Sequence, residues 1–197
     1  MFKAKTSKRK NAAEGTHSTF VPEVSNFKSG SIKISGKQTY FSSLRNIDQL
    51  GGIPNKNEGF RIVTRKNINS FDFVLAILAH QSIEHLTIAI YRIGKKVLTE
   101  IKEIQKSGKI GKVTLLVNDG FPRLCKDAWS IMKSLEGNNF EIKIENNHTK
   151  IILMKTLGGF YVVEGSGNLS INARIEQYAF DNNERLYNFH KTWIKAI

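Results

Sequence analysis

A histidine and a lysine two residues apart stand where a predicted strand begins. Side chains two apart in a strand point to the same face, so His148 and Lys150 share one face of the sheet. The strand ends in a tight turn at Gly158-Gly159, and a second apolar strand leads into the loop Gly165-Ser166-Gly167-Asn168. A hairpin returns the chain to the level at which it left. We therefore expect this loop to lie beside His148 and Lys150.

These residue types together suit chemistry on a phosphoryl group. An imidazole can attack phosphorus, and an ammonium, a hydroxyl, an amide and loop N–H groups can hold the oxygens. Each residue alone also has an ordinary structural interpretation. A histidine after Asn146-Asn147 is typical of a turn, a strand lysine is commonly solvated, and Gly165–Asn168 is also a plausible simple turn.

The whole arrangement resembles the active-site signature of the phospholipase D superfamily. The pattern is H-x-K, a hairpin, G-S-x-N and a downstream glutamate, which here are His148, Lys150, Ser166, Asn168 and Glu176. The resemblance covers about residues 65–197. The flanking features that agree with it are the strand ending at Tyr91, the segment LLVND at 115–119, and Phe189 with Trp193.

The resemblance implies a mechanism and a set of roles. His148 would attack phosphorus to form a phosphohistidine, and Lys150 and Asn168 would hold the non-bridging oxygens, with Ser166 nearby. Glu176 is the candidate to orient the imidazole. The catalytic set is thus His148, Lys150, Asn168 and Glu176, and Lys150, Ser166 and Asn168 bind the phosphate. The resemblance implies neither a metal ion nor another cofactor.

Two departures from the family pattern bear on activity. The family has an aspartate five residues after the lysine, and this position is Lys155 here. Only one copy of the motif is present, whereas the implied mechanism needs a second histidine to protonate the leaving oxygen. Small single-motif members form dimers that pool two motifs, so we predict a homodimer in which the partner subunit's His148 is the general acid.

The surrounding sequence predicts an α/β fold. Strand patterns at 85–91, 112–117 and 140–144 alternate with helix patterns at 95–107 and from 122, and a further helix begins after Asn69 or Ser70. The segment GSGNLSINARIEQY at 165–178 is rich in Gly, Asn and Ser and predicts a loop, and a last helix follows Asn182-Asn183. We predict a phospholipase D-like α/β sandwich, with a central mixed sheet flanked by helices.

Charge divides the 197-residue chain into two parts. Lys and Arg total 30 against 17 Asp and Glu, which gives a net charge of +13. Residues 1–45 contribute +7 of this and are rich in Ser, Gly, Thr and Asn, so we predict a basic, largely flexible N-terminal arm at 1–45 and a domain at 46–197. The arm could grip phosphates or serve only as a solubilising tail.

Composition and charge also limit the classes of partner and substrate that we expect. A strongly basic protein favours a polyanion, and the function we predict is a metal-independent phosphodiesterase acting on nucleic acid, DNA in preference to RNA. A catalytically inactive nucleic-acid-binding dimer and a phospholipid phosphodiesterase are the alternatives. The single Cys125 indicates a reducing compartment, and without a predicted membrane span or signal segment we expect a cytoplasmic protein.

Overall fold

A computed structural model describes residues 31–65, 68–170 and 174–197. Residues 1–30, most of the predicted arm, lie outside the described residues, so the arm and the domain division at residue 45 stay predictions. Residues 37–44 form an edge strand of the sheet. Within the described part of the chain, no helix is long and apolar enough to cross a membrane.

The described residues form a mixed α/β structure around one eight-stranded sheet, which confirms the predicted fold class at that level. The strands are β1 Lys37–Leu44, β2 Glu58–Arg65, β3 Ile83–Ile90, β4 Ile110–Asn118, β5 Phe140–Glu145, β6 Lys150–Lys155, β7 Phe160–Gly165 and β8 Ile175–Asn182. The α-helices are α1 Ser70–Leu78, α2 Lys95–Lys106, α3 Phe121–Leu124, α4 Lys126–Leu135 and α5 Glu184–Ala196. A short 3-10 helix, Ile47–Leu50, follows β1.

The strand order is β1-β2-β8-β7-β6-β3-β4-β5. Strand β6 lies near the centre and pairs antiparallel with β7 on one side and β3 on the other. The outer pairs β1–β2, β3–β4 and β4–β5 are parallel. Because the parallel strands need crossovers, α2 and the α3–α4 pair connect β3 to β4 and β4 to β5.

Side-chain alternation divides the core between the two faces of the sheet. On β6, Ile152 and Met154 pack into the larger apolar cluster, which contains side chains of α1, α2 and α4. Ile151 and Leu153 point to the other face, where they pack with Leu186 and other residues of α5. Successive residues of a strand point to opposite faces, so this division is a consequence of the period of two.

Strand β8 was missed by the sequence interpretation. The segment 165–178 was expected to be a loop, but β8 starts at Ile175 and runs to Asn182. The Gly, Asn and Ser content that suggested a loop lies before residue 175, whereas Tyr178 and Phe180 are buried at alternate positions. Strand β2 was missed as well, because Gly59 and the two arginines of EGFRIVTR weaken its alternation.

Gly165 allows β7 and β8 to approach at the end of the hairpin. A Cβ at this position would lie 2.3 Å from Cδ1 of Tyr178 and 2.8 Å from the carbonyl oxygen of Gln177. Neither neighbour can withdraw freely, because one belongs to a buried ring and the other to the backbone of β8. A side chain here would therefore push the two strands apart.

We expect Gly165→Ala to lower the free energy of unfolding by about 1–3 kcal/mol through this overpacking. Urea denaturation measures the change. Gly137→Ala is the matched control, since a Cβ there has no neighbour within 4 Å. Equal stability of the two variants would contradict the predicted crowding.

Candidate functional site

Four strands bring the candidate residues to one end of the sheet. Lys150 opens β6 and lies opposite Ile90, which ends β3. On the other side of β6, Ile151 pairs with Glu164, so that β7 ends next to the start of β6. Strand β8 begins beside the end of β7, where Gly165 pairs with Tyr178. The hairpin thus brings His148 and Lys150 to the same sheet end as the Gly165–Asn168 loop, as the sequence predicts.

His148 and Lys150 are in direct contact. The Lys150 ammonium lies 2.9 Å from Nδ1 of His148 and donates a hydrogen bond to the His148 carbonyl oxygen at 2.6 Å. The His148 side chain is exposed and Lys150 is half-buried. An imidazole that a substrate can reach and an ammonium beside it are therefore available together at this sheet end.

The turn before His148 is fixed by a buried amide. Asn147 is 5% exposed, and its Oδ1 accepts hydrogen bonds from the N–H group of Thr149 at 2.9 Å and from its hydroxyl at 2.7 Å. Its Nδ2 donates to the carbonyl oxygen of Leu116, and Asn118 in turn donates to the Asn147 carbonyl oxygen at 3.2 Å. These bonds attach the turn to β4, so they set where His148 leaves the sheet.

The Ser166–Asn168 loop is held by α1 and by the segment that follows β3. The Ser70 hydroxyl, at the start of α1, donates to the Gly167 carbonyl oxygen at 2.9 Å in a buried position. The Arg92 backbone N–H donates to Oδ1 of Asn168 at 3.2 Å, and Leu169 forms an isolated bridge to the segment after β3. The loop is therefore fastened to the end of β3 as well as to β7.

Ser166 and Glu176 form a hydrogen-bonded pair. The Ser166 hydroxyl donates to the Glu176 carboxylate, and it accepts from the backbone N–H of Gln177 at 3.1 Å. Burial lowers the pKa of the Lys150 ammonium, and the nearby Glu176 carboxylate opposes that effect. Glu176 is thus an electrostatic neighbour of Lys150 and a hydrogen-bond partner of Ser166, and its role in orienting His148 stays a prediction.

Two residues next to this group were not proposed from the sequence. The Tyr91 ring lies 4.8 Å from the His148 ring, measured between centroids, at an angle of 49°. The Lys150 ammonium lies 5.8 Å from the same ring, and the Arg92 guanidinium lies 5.3 Å from it. The only sequence signal was position, because both residues directly follow β3, the neighbour of β6.

Lys155 lies far from this group. It ends β6, five residues beyond Lys150, so the two are roughly 16 Å apart along the strand. Its ammonium forms an ion pair with Glu84 at 2.5 Å, at the opposite end of the sheet. The departure from the family pattern at this position therefore removes no group from the His148 end.

No protein-family model matches the chain, and no curated protein matches it. Among solved structures, it is similar to the crystal structure of phosphatidylserine synthase from Haemophilus influenzae Rd KW20, with 11% sequence identity and a TM-score of 0.40. The match covers 70% of this chain and 37% of that one, so the chain spans little more than a third of that protein's length.

The arrangement can hold an anionic phosphoryl oxygen and present a nucleophile to the phosphorus atom that carries it. Lys150 supplies a cation, Asn168 a side-chain amide and His148 a ring nitrogen. The Ser166 hydroxyl can donate to a phosphate oxygen if it exchanges its bond to Glu176 for one to the phosphate. Arg92 adds an exposed second cation beside the same aromatic ring. This set of groups matches the requirements of a phosphoryl oxygen.

We expect Glu176→Gln to lower the pKa of Lys150 further. The carboxylate stabilises the charged ammonium, so its removal lets the ammonium lose its proton at a lower pH. NMR titration of the lysine side-chain signals measures the change. Glu164→Gln, on strand β7, is the matched control. The pKa of Lys150 is shifted by burial and by Glu176, and Glu164 is not among these causes. An unchanged Lys150 titration in Glu176→Gln would contradict this electrostatic contact.

Proposed function

We propose that the protein is a phospholipase D-like phosphodiesterase that acts on nucleic acid without a metal ion, through a phosphohistidine formed in a homodimeric site. The observation that carries the proposal is the contact of His148 with Lys150 beside the Ser166–Asn168 loop. The nucleophile and the groups that neutralise phosphate charge thus share one sheet end.

The reaction has two steps. In the first, a ring nitrogen of His148 forms a bond to phosphorus, and the bond from phosphorus to the leaving oxygen breaks. The partner subunit's His148 gives its proton to that oxygen. In the second step, the partner subunit's His148 takes a proton from water and the water oxygen bonds to phosphorus. The phosphorus–nitrogen bond then breaks, which restores both histidines.

Lys150 changes partner when the phosphate binds. Its ammonium lies against Nδ1 and the carbonyl oxygen of His148. A phosphate oxygen is a charged acceptor and competes well for that ammonium. Its arrival would draw Lys150 away from the ring and free Nδ1 to carry the proton, so that Nε2 keeps a lone pair for attack.

The charge of the chain supports a nucleic-acid substrate. The net charge is +13, and residues 1–45 contribute +7 of it. Cations spread along a chain suit a polymer of phosphates, because each neutralised phosphate releases counterions. A single phosphate monoester would use only a small part of this charge. DNA is the preferred substrate in the proposal.

A second candidate is a dimer that binds nucleic acid without cleaving it. The observation that favours it is Lys155 at the position where the resembled family has an aspartate. The ion pair of Lys155 with Glu84 holds this lysine at the far end of β6. Cleavage assays separate the two candidates, since both bind nucleic acid.

We expect His148→Ala to abolish cleavage of plasmid and single-stranded DNA and leave affinity nearly unchanged, because one imidazole adds little to binding by many cations. Gel assays measure cleavage, and fluorescence anisotropy with a labelled oligonucleotide measures affinity. His80→Ala is the matched control, because His80 is exposed and lies after α1, outside the site. Both assays should report wild-type behaviour for it.

The cleavage assays can also contradict the proposed mechanism or the proposed substrate. Cleavage in EDTA at the rate seen without it supports the mechanism, whereas complete loss in EDTA and recovery with magnesium would overturn it. A wild-type protein that binds DNA but cleaves nothing would favour the binding dimer. Hydrolysis of phospholipid vesicles in place of DNA would favour the phospholipid alternative.

We expect a homodimer at micromolar concentration. One motif supplies a nucleophile but no general acid, and a two-fold interface presents the same patch twice. Light scattering coupled to gel filtration should give about twice the chain mass of 22.3 kDa. A monomer that still cleaves DNA would refute the shared site.

A further inference from the structure

Three titratable side chains form a row across neighbouring strands, at the end of the sheet opposite the candidate site. His85 on β3 lies directly opposite Lys112 on β4 and directly opposite Lys155 on β6. We call Lys155, His85 and Lys112 the His85 row. Neighbouring strands are about 4.8 Å apart, so the row spans roughly 10 Å. The row faces the α5 side of the sheet. Lys155 lies two residues after Leu153 on the same strand, so both side chains point to that face.

The row is surrounded by further cations. Lys191 of α5 lies close enough to act on His85 electrostatically, with its ammonium 5.9 Å from the Tyr187 ring centroid. Lys143 of β5 donates to the carbonyl oxygens of Ile194 and Lys195 at the end of α5. Side chains from four strands and one helix therefore converge on this surface.

Carboxylates neutralise only part of this charge. Glu84 pairs with Lys155 at 2.5 Å, and Glu141 lies 3.4 Å from the ammonium of Lys112 and 4.0 Å from that of Lys143. Four lysines against two glutamates leave an excess of two positive charges before His85 takes a proton. A protonated His85 would lie directly opposite a lysine on each neighbouring strand, and like charges directly opposite each other in a sheet are destabilising. A bound anion would remove that repulsion.

Hydroxyl groups line the inner side of the row. Nε2 of His85 lies 3.0 Å from the Thr114 hydroxyl and 3.3 Å from the Thr87 hydroxyl, and both threonines are buried. Thr114 donates to Glu141, so its oxygen accepts from Nε2–H of His85. With Nε2 anchored in this way, a second proton must enter at Nδ1, where it forms a new donor.

We propose that the His85 row, together with Lys191, binds a phosphate-class anion at a site separate from the candidate active site. The site lies at the other end of β6 from Lys150 and on the other face of the sheet. Its ligand chemistry is the anionic phosphate oxygen. A nucleic-acid backbone and free phosphate both supply that group.

Binding at this site is coupled to the protonation of His85. Burial lowers the pKa of His85, and Lys112, Lys191 and Lys155 lower it further while Glu141 opposes them. Among the other charged groups named for this surface, Glu84 is paired with Lys155 and Lys143 is bonded to the end of α5. An anion raises the pKa of a neighbouring imidazole, so phosphate and a proton bind together and affinity increases as pH falls.

The test follows the imidazole of His85 by NMR in the full-length chain. Its titration is measured in chloride and in inorganic phosphate at equal ionic strength, with exposed His80 as the internal reference. We expect phosphate to raise the titration midpoint of His85 and not that of His80. An unchanged His85, or equal shifts of the two histidines, would overturn the proposal.

Variants that remove lysine charges test whether the response of His85 to phosphate arises at the His85 row. We expect Lys112→Gln/Lys191→Gln to raise the His85 midpoint in chloride and to abolish its further rise in phosphate. Lys106→Gln/Lys133→Gln removes the same charge from two exposed, ion-paired lysines of α2 and α4 and should retain the response. A phosphate response that survives in the first variant and not in the second would overturn the assignment.

A single-stranded oligonucleotide distinguishes the two sources of phosphate. It is added to the His148→Ala protein, so the readout is independent of cleavage and of the proposed function. If the nucleic-acid backbone occupies the site, the oligonucleotide raises the His85 midpoint. The slope of log affinity against log salt then becomes shallower by roughly 1.4 in Lys112→Gln/Lys191→Gln, at about 0.7 per lysine. A response to inorganic phosphate alone identifies free phosphate as the ligand.

Discussion

Strand β6 is hydrogen-bonded on both sides, and the candidate site depends on those two ladders. The β6–β7 register places the Ser166–Asn168 loop at the level of Lys150, and the β3–β6 register places Tyr91 there as well. A slip of one residue in either ladder would reverse the faces of β6 and remove Lys150 from the site. The buried side chains Ile152 and Leu153, on opposite faces, resist such a slip, since each would lose its apolar surroundings.

The part of the site that the sequence predicts is the part that depends on local geometry. A hairpin of two apolar strands returns the chain to its starting level, whatever the rest of the fold does. This is why the positions of His148 and Lys150 relative to Ser166 could be inferred from spacing alone. The helix bounds of α2 and α5 were also predictable, because apolar spacing and terminal residues such as Asn183 mark them.

The parts that the sequence does not predict depend on contacts between distant segments. Tyr91 and Arg92 join the site because β3 and not another strand pairs with β6, and no local pattern states which strand that is. Asn147 looks like an ordinary turn residue, yet it is buried and bonded to β4. Strand β8 was hidden because its buried residues, Tyr178 and Phe180, follow a polar segment whose composition suggested a loop.

The alternation of side chains along β6 places its two lysines, Lys150 and Lys155, on opposite faces of the sheet. Lys150 and Lys155 are five residues apart, an odd number, so their side chains must leave the sheet on opposite faces. Lys150 lies beside an imidazole, an aromatic ring and a partly buried carboxylate, whereas Lys155 is paired with Glu84 and lies next to His85. A side chain at position 155 therefore cannot touch a phosphate held by Lys150. Its identity bears on the charge of the His85 row, and an aspartate there would not contact a phosphate held by Lys150.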